Sequence, residues 1–246
     1  MRIARALALA GIGARRKCEA YVLEGEVAVN GQVARDLGRQ VDPDRDEIRF
    51  RGERLAFSER VYYILNKPAG YTTTASDPHA EKTVYELLPS ELGMERPTLR
   101  LFPVGRLDRD STGLLLFTND GELANQLTHP RYEVGKWYEV RLARPLDSKA
   151  RSQLLKGVQL EEEIARVEQV QSVSPNTVRL LLREGKKREV RRIFDQLGYR
   201  VISLCRTAFG PLKLGNLRLG QGRFLDSEEV AKLKRLTGSS GLNSIR

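Results

Sequence analysis

The chain has 246 residues, 40% of them apolar and 30% charged, enough for one large domain and a small one with a substantial core. Its net charge of +10 and pI of about 9.8 point to a polyanionic partner, nucleic acid before others. The cysteines Cys18 and Cys205 lie far apart and the histidines are only His79 and His129, which argues against a disulfide scaffold, a structural zinc site, a His-rich metal centre and a serine-type triad; no run approaches the length of a membrane span.

The first 14 residues carry Arg2 and Arg5 before small apolar residues. They are a poor secretion signal, because the apolar part is short and glycine-broken and Arg15, Arg16 and Lys17 follow at once. A reducing, cytoplasmic setting is expected. Residues 2–10 predict a short helix with Ile3, Leu7 and Ala10 on one face. A second helix is expected from Ala14 to Glu24, with Cys18, Tyr21 and Val22 inward and Gly25 stopping it. Val27 to Val29, Asn30-Gly31 and Gln32 to Ala34 form a hairpin signal, and Ile48 and Phe50 suggest a further strand. Residues 51–60 are charged and weakly patterned and read as a linker, with a strand edge expected at Leu55 to Phe57.

Arg15, Arg16 and Lys17 open the second helix, where cations oppose the helix dipole; phosphate contact accounts for them, and a plain solvated face is the alternative. The pieces Gly11-Ile12-Gly13-Ala14-Arg15-Arg16-Lys17 and Gly25-Glu26-Val27-Ala28-Val29-Asn30-Gly31 resemble the RNA-binding domain first seen in ribosomal small-subunit protein four, over about residues 1–50. The resemblance implies RNA contacts from Arg15, Arg16 and Lys17. Ala14 stands where such domains often carry a capping Ser, a loss of about 1 kcal/mol that leaves the RNA role intact. Residues 1–60 carry a net charge of only +2, so the local patch matters more than the total.

Farther along, Val61 to Leu65 predicts a strand broken by Asn66 to Gly70. Tyr71 to Thr74 is β-prone, Thr83 to Leu88 a short helix, and Met94 to Pro97 an exposed connection. Leu114 to Phe117 is an apolar run short enough for a buried strand, and Thr118-Asn119-Asp120-Gly121 can cap a helix beginning near Glu122. Lys136 to Leu142 alternates as a half-buried strand does. Asp147 can cap a helix running to Lys156. Val167 to Val173 and Thr177 to Leu182 form a hairpin, Glu189 to Leu197 a helix, Val201 to Leu204 a buried strand, and Ser227 to Leu236 a last helix. Residues 61–238 form the second domain and 239–246 a mobile tail. Strands outnumber helices without βαβ alternation, so the fold class is α+β with a largely antiparallel mixed sheet flanked by helices.

Two clusters can carry chemistry. Gly105 to Gly113 is a polar loop holding Asp108 and Asp110. An Asp-x-Asp phosphotransfer site would want the first carboxylate directly at a strand end, and Gly105 and Arg106 interrupt the run; a structural salt-bridge loop is the other reading. The segment Arg183 to Arg192 carries six basic and two acidic residues. Arg188, Arg191 and Arg192 share a helix face and can form an electropositive rim, with a guanidinium that keeps Asp108 ionised; a phosphate-binding loop is the alternative.

Gly105-Arg106-Leu107-Asp108 through Gly113-Leu114-Leu115-Leu116 and Thr118-Asn119-Asp120-Gly121 resemble the signature of the RsuA/RluB family of pseudouridine synthases. Asn66-Lys67-Pro68-Ala69-Gly70, Lys136-Trp137-Tyr138-Glu139-Val140 and Glu184-Gly185-Lys186-Lys187-Arg188-Glu189-Val190-Arg191-Arg192 match in the family's order, with the RluB, large-subunit ribosomal RNA branch most similar. Ser111 stands where many members have Thr, and Lys186-Lys187-Arg188 replaces a commoner Arg-Asn-Arg. The resemblance implies a small N-terminal RNA-binding domain beside a catalytic domain that isomerises uridine to pseudouridine. No group is lost and no oxidation state changes, so it implies neither cofactor nor metal. Asp108 matches the catalytic aspartate and Arg191 the arginine that pairs with it. Tyr138 matches the tyrosine that stacks on the base; a sheet-core aromatic is its other reading. Leu204 falls beneath the base and Arg106 where a side chain fills the gap left by a flipped nucleotide. Lys67, Lys186, Lys187, Arg188 and Arg192 are expected to contact RNA. Ribosomal RNA is the expected partner of a monomer. Small-subunit ribosomal RNA, transfer RNA, or a non-catalytic RNA-binding or ribosome-assembly role are the alternatives.

Overall fold

The computed structural model describes residues 1–43, 45–57, 59–74, 82–92, 101–161, 163–236 and 238. His79, the Met94 to Pro97 connection and the 239–246 tail of the sequence reading lie outside them. Backbone packing divides the chain into two units, Met1–Val61 with Pro89–Phe102, and Tyr62–Leu88 with Pro103–Arg246.

The first unit begins with helices α1 (Ile3–Leu9) and α2 (Arg15–Glu24), followed by strands β1 (Val27–Val29), β2 (Gln32–Val33), β3 (Ile48–Phe50) and β4 (Glu53–Arg54) in the order β2-β1-β3-β4. The Asn30-Gly31 turn takes φ of 51° and 81°, the two positive values a tight hairpin demands. Gly25 ends α2 in the left-handed conformation at φ 81°. Ala14 gives α2 no side-chain cap. Ile3, Leu7, Cys18, Val22, Val27 and Ile48 form the core. Residues 51–60, expected to be a linker, are partly structural: β4 pairs with β3, and Leu55 and Phe57 pack on this core. The weak pattern of Arg51 to Arg54 is that of a two-residue edge strand, which leaves alternation no length to show.

The second unit contains β5 (Tyr62–Lys67), the short β6 (Phe102–Pro103) at its boundary, β7 (Thr112–Thr118), α3 (Gly121–Thr128), β8 (Lys136–Leu142), α4 (Ser148–Lys156), β9 (Val158–Leu160), β10 (Glu163–Ala165), β11 (Gln169–Ser174), β12 (Thr177–Leu182), α5 (Glu189–Gln196), β13 (Val201–Phe209), β14 (Leu212–Lys213), β15 (Gly222–Phe224) and α6 (Ser227–Leu236). The large sheet runs β11-β12-β8-β13-β7-β5-β15, with β14 beside β13. Along this path every pairing is antiparallel except β13 with β7. Leu114 to Phe117 of β7 have no exposed surface, and burying each such side chain contributes about 1.5–3 kcal/mol. Asp120 caps α3 by accepting from the Glu122 and Leu123 amides, and its other oxygen accepts from the Tyr62 hydroxyl at 2.9 Å. Asp147 caps α4 through the Ala150 amide.

Three elements differ from expectation. β5 does not stop at Leu65 but carries Asn66 and Lys67 inward, both buried, because each has backbone carbonyls to bond. Tyr71 to Thr74 forms one isolated bridge, Thr72 to Thr83, rather than a strand. β13 extends to Phe209, past the polar Arg206.

Candidate active site

The pocket floor is built by two neighbouring strands. In the β8–β13 ladder Tyr138 lies opposite Arg206 and Val140 opposite Leu204. Strand alternation therefore puts Lys136 and Tyr138 of β8 on the same face as Leu204 and Arg206 of β13. All four line a pocket of about 690 Å³, a size usual for small-ligand sites. The loop before β7 supplies Arg106, Leu107, Asp108 and Ser111 to its wall, and the segment Arg183 to Val190 another side. Gly113 makes this arrangement possible. Its φ is 109°, and a Cβ there would lie 2.3 Å from the carbonyl oxygen of Arg206 and 2.6 Å from its amide nitrogen, so only glycine lets β13 run this close to β7.

Asp108 is half-buried and lines the pocket. Its carboxylate has no hydrogen bond or ion pair with a described residue. Its loop, by contrast, is firmly held. The Lys67 ammonium, fully buried, donates to the carbonyls of Pro68 at 3.1 Å, Asp108 at 3.0 Å, Arg109 at 3.3 Å and Ser111 at 2.8 Å. Thr73 Oγ1 adds a donation to the Leu107 carbonyl at 2.8 Å. Burial lowers the Lys67 pKa to about 8; Asp110 and Asp108 oppose that shift and Arg206 adds to it. Lys67 thus corrects the expectation of an RNA contact. Fully buried at the end of β5, it has no surface to offer a phosphate, and it fixes the backbone that carries Asp108.

Arg191 also departs from expectation. Its Nη2 meets Asp110, at 3.1 Å from Oδ2 and 3.3 Å from the backbone oxygen, rather than Asp108. Arg188, the residue that precedes α5, shares that carboxylate at 3.4 Å. The guanidiniums at the start of α5 therefore grip the loop two residues beyond Asp108, because the Asp110 side chain points outward, where α5 begins.

The basic rim divides. Lys186 pairs with Glu163 and Glu184, each at 2.6 Å, and Arg192 with Glu163 at 2.9 Å; these two are largely neutralised by neighbouring carboxylates. Lys187 and Arg188 are exposed at the pocket, and Lys187 has no carboxylate partner among the described residues. Arg106 is exposed at the same opening. Lys136 donates to the Arg183 and Glu184 carbonyls, both at 3.2 Å. Burial, helped by Arg206, lowers its pKa to about 8. Burial also raises the pKa of Glu189, which accepts from the Lys186 amide.

Sequence reasoning missed Arg206. The available signal was its place two residues after Leu204, on the same strand face; ending the strand at Leu204 hid it. In the first unit, Arg15, Arg16 and Lys17 are exposed on the first turn of α2, with Arg15 held 3.3 Å from Glu19 and Lys17 over the Tyr21 ring. Among the described residues no group of three His, Cys, Asp or Glu side chains could hold a metal ion, and no helix is long and apolar enough to cross a membrane.

The sequence profile of the RNA pseudouridylate synthase family matches residues 61–196, and that of the S4 domain residues 1–48. An Aquifex aeolicus protein described as an uncharacterized RNA pseudouridine synthase is 39% identical over 243 residues, covering 97% of this chain and 95% of its own length. The ribosomal large subunit pseudouridine synthase B of Bacillus subtilis is 36% identical over 241 residues, 96% of each chain. A crystal structure described as that of a pseudouridylate synthase aligns with a TM-score of 0.67 at 29% identity, covering 95% of this chain and 99% of that one.

Proposed function

The chain belongs to the RNA pseudouridylate synthase family, and we propose that it converts a uridine of large-subunit ribosomal RNA to pseudouridine in the pocket between β8, β13 and the Asp108 loop. The observation that carries this reading is an unpaired, half-buried carboxylate, Asp108, facing the same cavity as Tyr138 and Leu204. The near full-length likeness to the Bacillus subtilis large-subunit enzyme supports the choice of RNA, and a ribosomal RNA substrate supports a cytoplasmic location.

The reaction breaks the bond between ribose C1′ and uracil N1, turns the ring, and joins C5 to C1′. A proton leaves C5 and one is gained at N1, so nothing is lost and no electron acceptor is needed. The target must leave the RNA stack to enter the pocket. Arg106, exposed at the opening, has a planar group able to replace the stacking that the nucleotide gives up. Leu204 offers an apolar seat for the ring, and Tyr138 beside it an aromatic face. Asp108 is the nucleophile or base next to the sugar, and an ionised carboxylate serves either role. Arg188 and Arg191 act on it indirectly, through Asp110 and the loop. Exposed Lys187 and, on the S4 unit, Arg16 and Lys17 supply phosphate contacts.

Asp108→Asn tests the assignment. On large-subunit ribosomal RNA lacking its pseudouridines, the wild type should create one modified position. The variant should create none, while its RNA affinity stays within about threefold. Near wild-type turnover by the variant would refute the role of Asp108, and no modification by the wild type would refute the substrate.

A further inference from the structure

Arg206 is a charge in the pocket that the roles above leave unexplained. It is 2% exposed, at the centre of the large sheet. Of its three nitrogens only Nε has a hydrogen-bond partner among the described residues, the Leu114 carbonyl at 2.8 Å. Nη2 is buried and unpartnered, and no described carboxylate forms an ion pair with the guanidinium. Its neighbours add to the imbalance: the pKa values of Lys67 and Lys136 are both pushed down in part by Arg206, so it lies in a cationic surrounding. A buried guanidinium without an anion is costly to the free protein. A well-packed apolar side chain would serve a sheet core better. Ser111 Oγ, in the same pocket, is likewise buried without a partner.

The reaction proposed above supplies the missing negative charge. When the C1′–N1 bond breaks heterolytically, both electrons leave with the base. The uracil ring becomes an anion whose charge lies on N1 and on the two carbonyl oxygens, while C1′ is left electron-poor on the side of Asp108. When C5 bonds to C1′ the pair returns to form the new bond. The C5 proton then departs and N1 takes one up, which restores neutrality. A donor fixed in a low-dielectric pocket acts most strongly on charge that appears only during the reaction.

We propose that Arg206 is a further catalytic residue, whose free terminal nitrogens donate to a carbonyl oxygen of the flipped uracil and hold the charge the ring acquires on leaving the ribose. The sheet supports this. Arg206 stands directly across from Tyr138 and two residues from Leu204 on one face, so a ring seated on Leu204 against Tyr138 would meet the guanidinium at its edge. This inference rests on the pseudouridine synthase reading.

The test compares wild type, Arg206→Gln and Arg206→Lys in single-turnover assays on one RNA carrying either uridine or 5-fluorouridine at the target. Pseudouridine formation is read for uridine and glycosidic bond cleavage for both. Fluorine withdraws electrons and stabilises the departing ring without help from the protein. Arg206→Gln should slow cleavage of uridine about a hundredfold, the usual effect of losing one such donor. It should slow 5-fluorouridine at least about tenfold less, and Arg206→Lys should lie between wild type and Arg206→Gln. RNA affinity should change less than about threefold. Because the buried charge burdens the free fold, Arg206→Gln should melt no lower than wild type. Equal slowing on both substrates, near wild-type activity, or a clear fall in Tm would each overturn the proposal, the last by showing that Arg206 serves the fold. A wild type inactive on every RNA would instead remove the function on which the inference rests.

Discussion

Lys67, buried under the Asp108 loop, and Lys136, in the pocket lining, are both brought close to neutrality by burial, each at about 8. Below that pH both are charged, folded or unfolded. Between about 8 and 10.5 the unfolded chain keeps a proton that the folded one has released, so these two groups make the fold more stable as pH rises through that window. Over the same window the pocket loses positive charge. Activity and stability should therefore separate: kcat/KM should fall as pH rises through about 8 while Tm does not fall with it. Lys136→Met should lower the plateau below pH 8 and leave a shallower decline above it. Parallel pH–rate and melting profiles check this, and a profile unchanged by Lys136→Met would move the titration to another group. Asp108, Tyr138 and Arg106 are legible in the sequence as pocket residues because they sit in motifs of fixed order, and Leu204 by its place on the apolar strand that follows them. The partners of Lys67, Arg191 and Arg206 are not legible. A sequence gives the charge of a side chain, whereas its partner depends on which carbonyl or carboxylate the folded backbone brings within 3 Å or so.

Elements set by local chemistry follow the sequence closely: the Asn30-Gly31 hairpin, the caps at Asp120 and Asp147, the glycine end of α2, and the apolar run Leu114 to Phe117 within β7. Elements set by tertiary demands do not. β5 ends in two polar residues and β13 runs through an arginine, because burial supplies each with an acceptor. The parallel pairing of β13 with β7 depends on Gly113, whose conformation and clearance both exclude a side chain. Gly113→Ala must strain the backbone and push β13 away from β7. It should cost about 3 kcal/mol or more and lower Tm by roughly 10 °C. Leu204 and Arg206 would move with the strand, so activity should fall even at temperatures where the variant remains folded. Calorimetry with activity measured well below Tm checks both parts; a variant that melts and turns over like wild type would rule out this account of the β7–β13 contact.

For the whole molecule, net charge alone says little about where RNA binds. The first unit is almost balanced, yet it carries three adjacent exposed cations at Arg15, Arg16 and Lys17. In the second unit much of the Arg183 to Arg192 cluster is spent on internal carboxylates. Arg15→Ala combined with Arg16→Ala should weaken RNA binding and reduce the slope of log affinity against log salt by about one to two. Titrations at several salt concentrations read that slope, and an unchanged one would take the S4 unit out of the binding account.

Two of the fastenings that hold the Asp108 loop differ in physical kind. Inside, a buried ammonium grips peptide oxygens where dissolved ions do not penetrate. Outside, Asp110 is clasped by Arg188 and Arg191 with its side chain 48% exposed, where electrolyte weakens the attraction. Brine should therefore slacken the outer clasp and spare the inner one, leaving the loop hinged at its root rather than adrift.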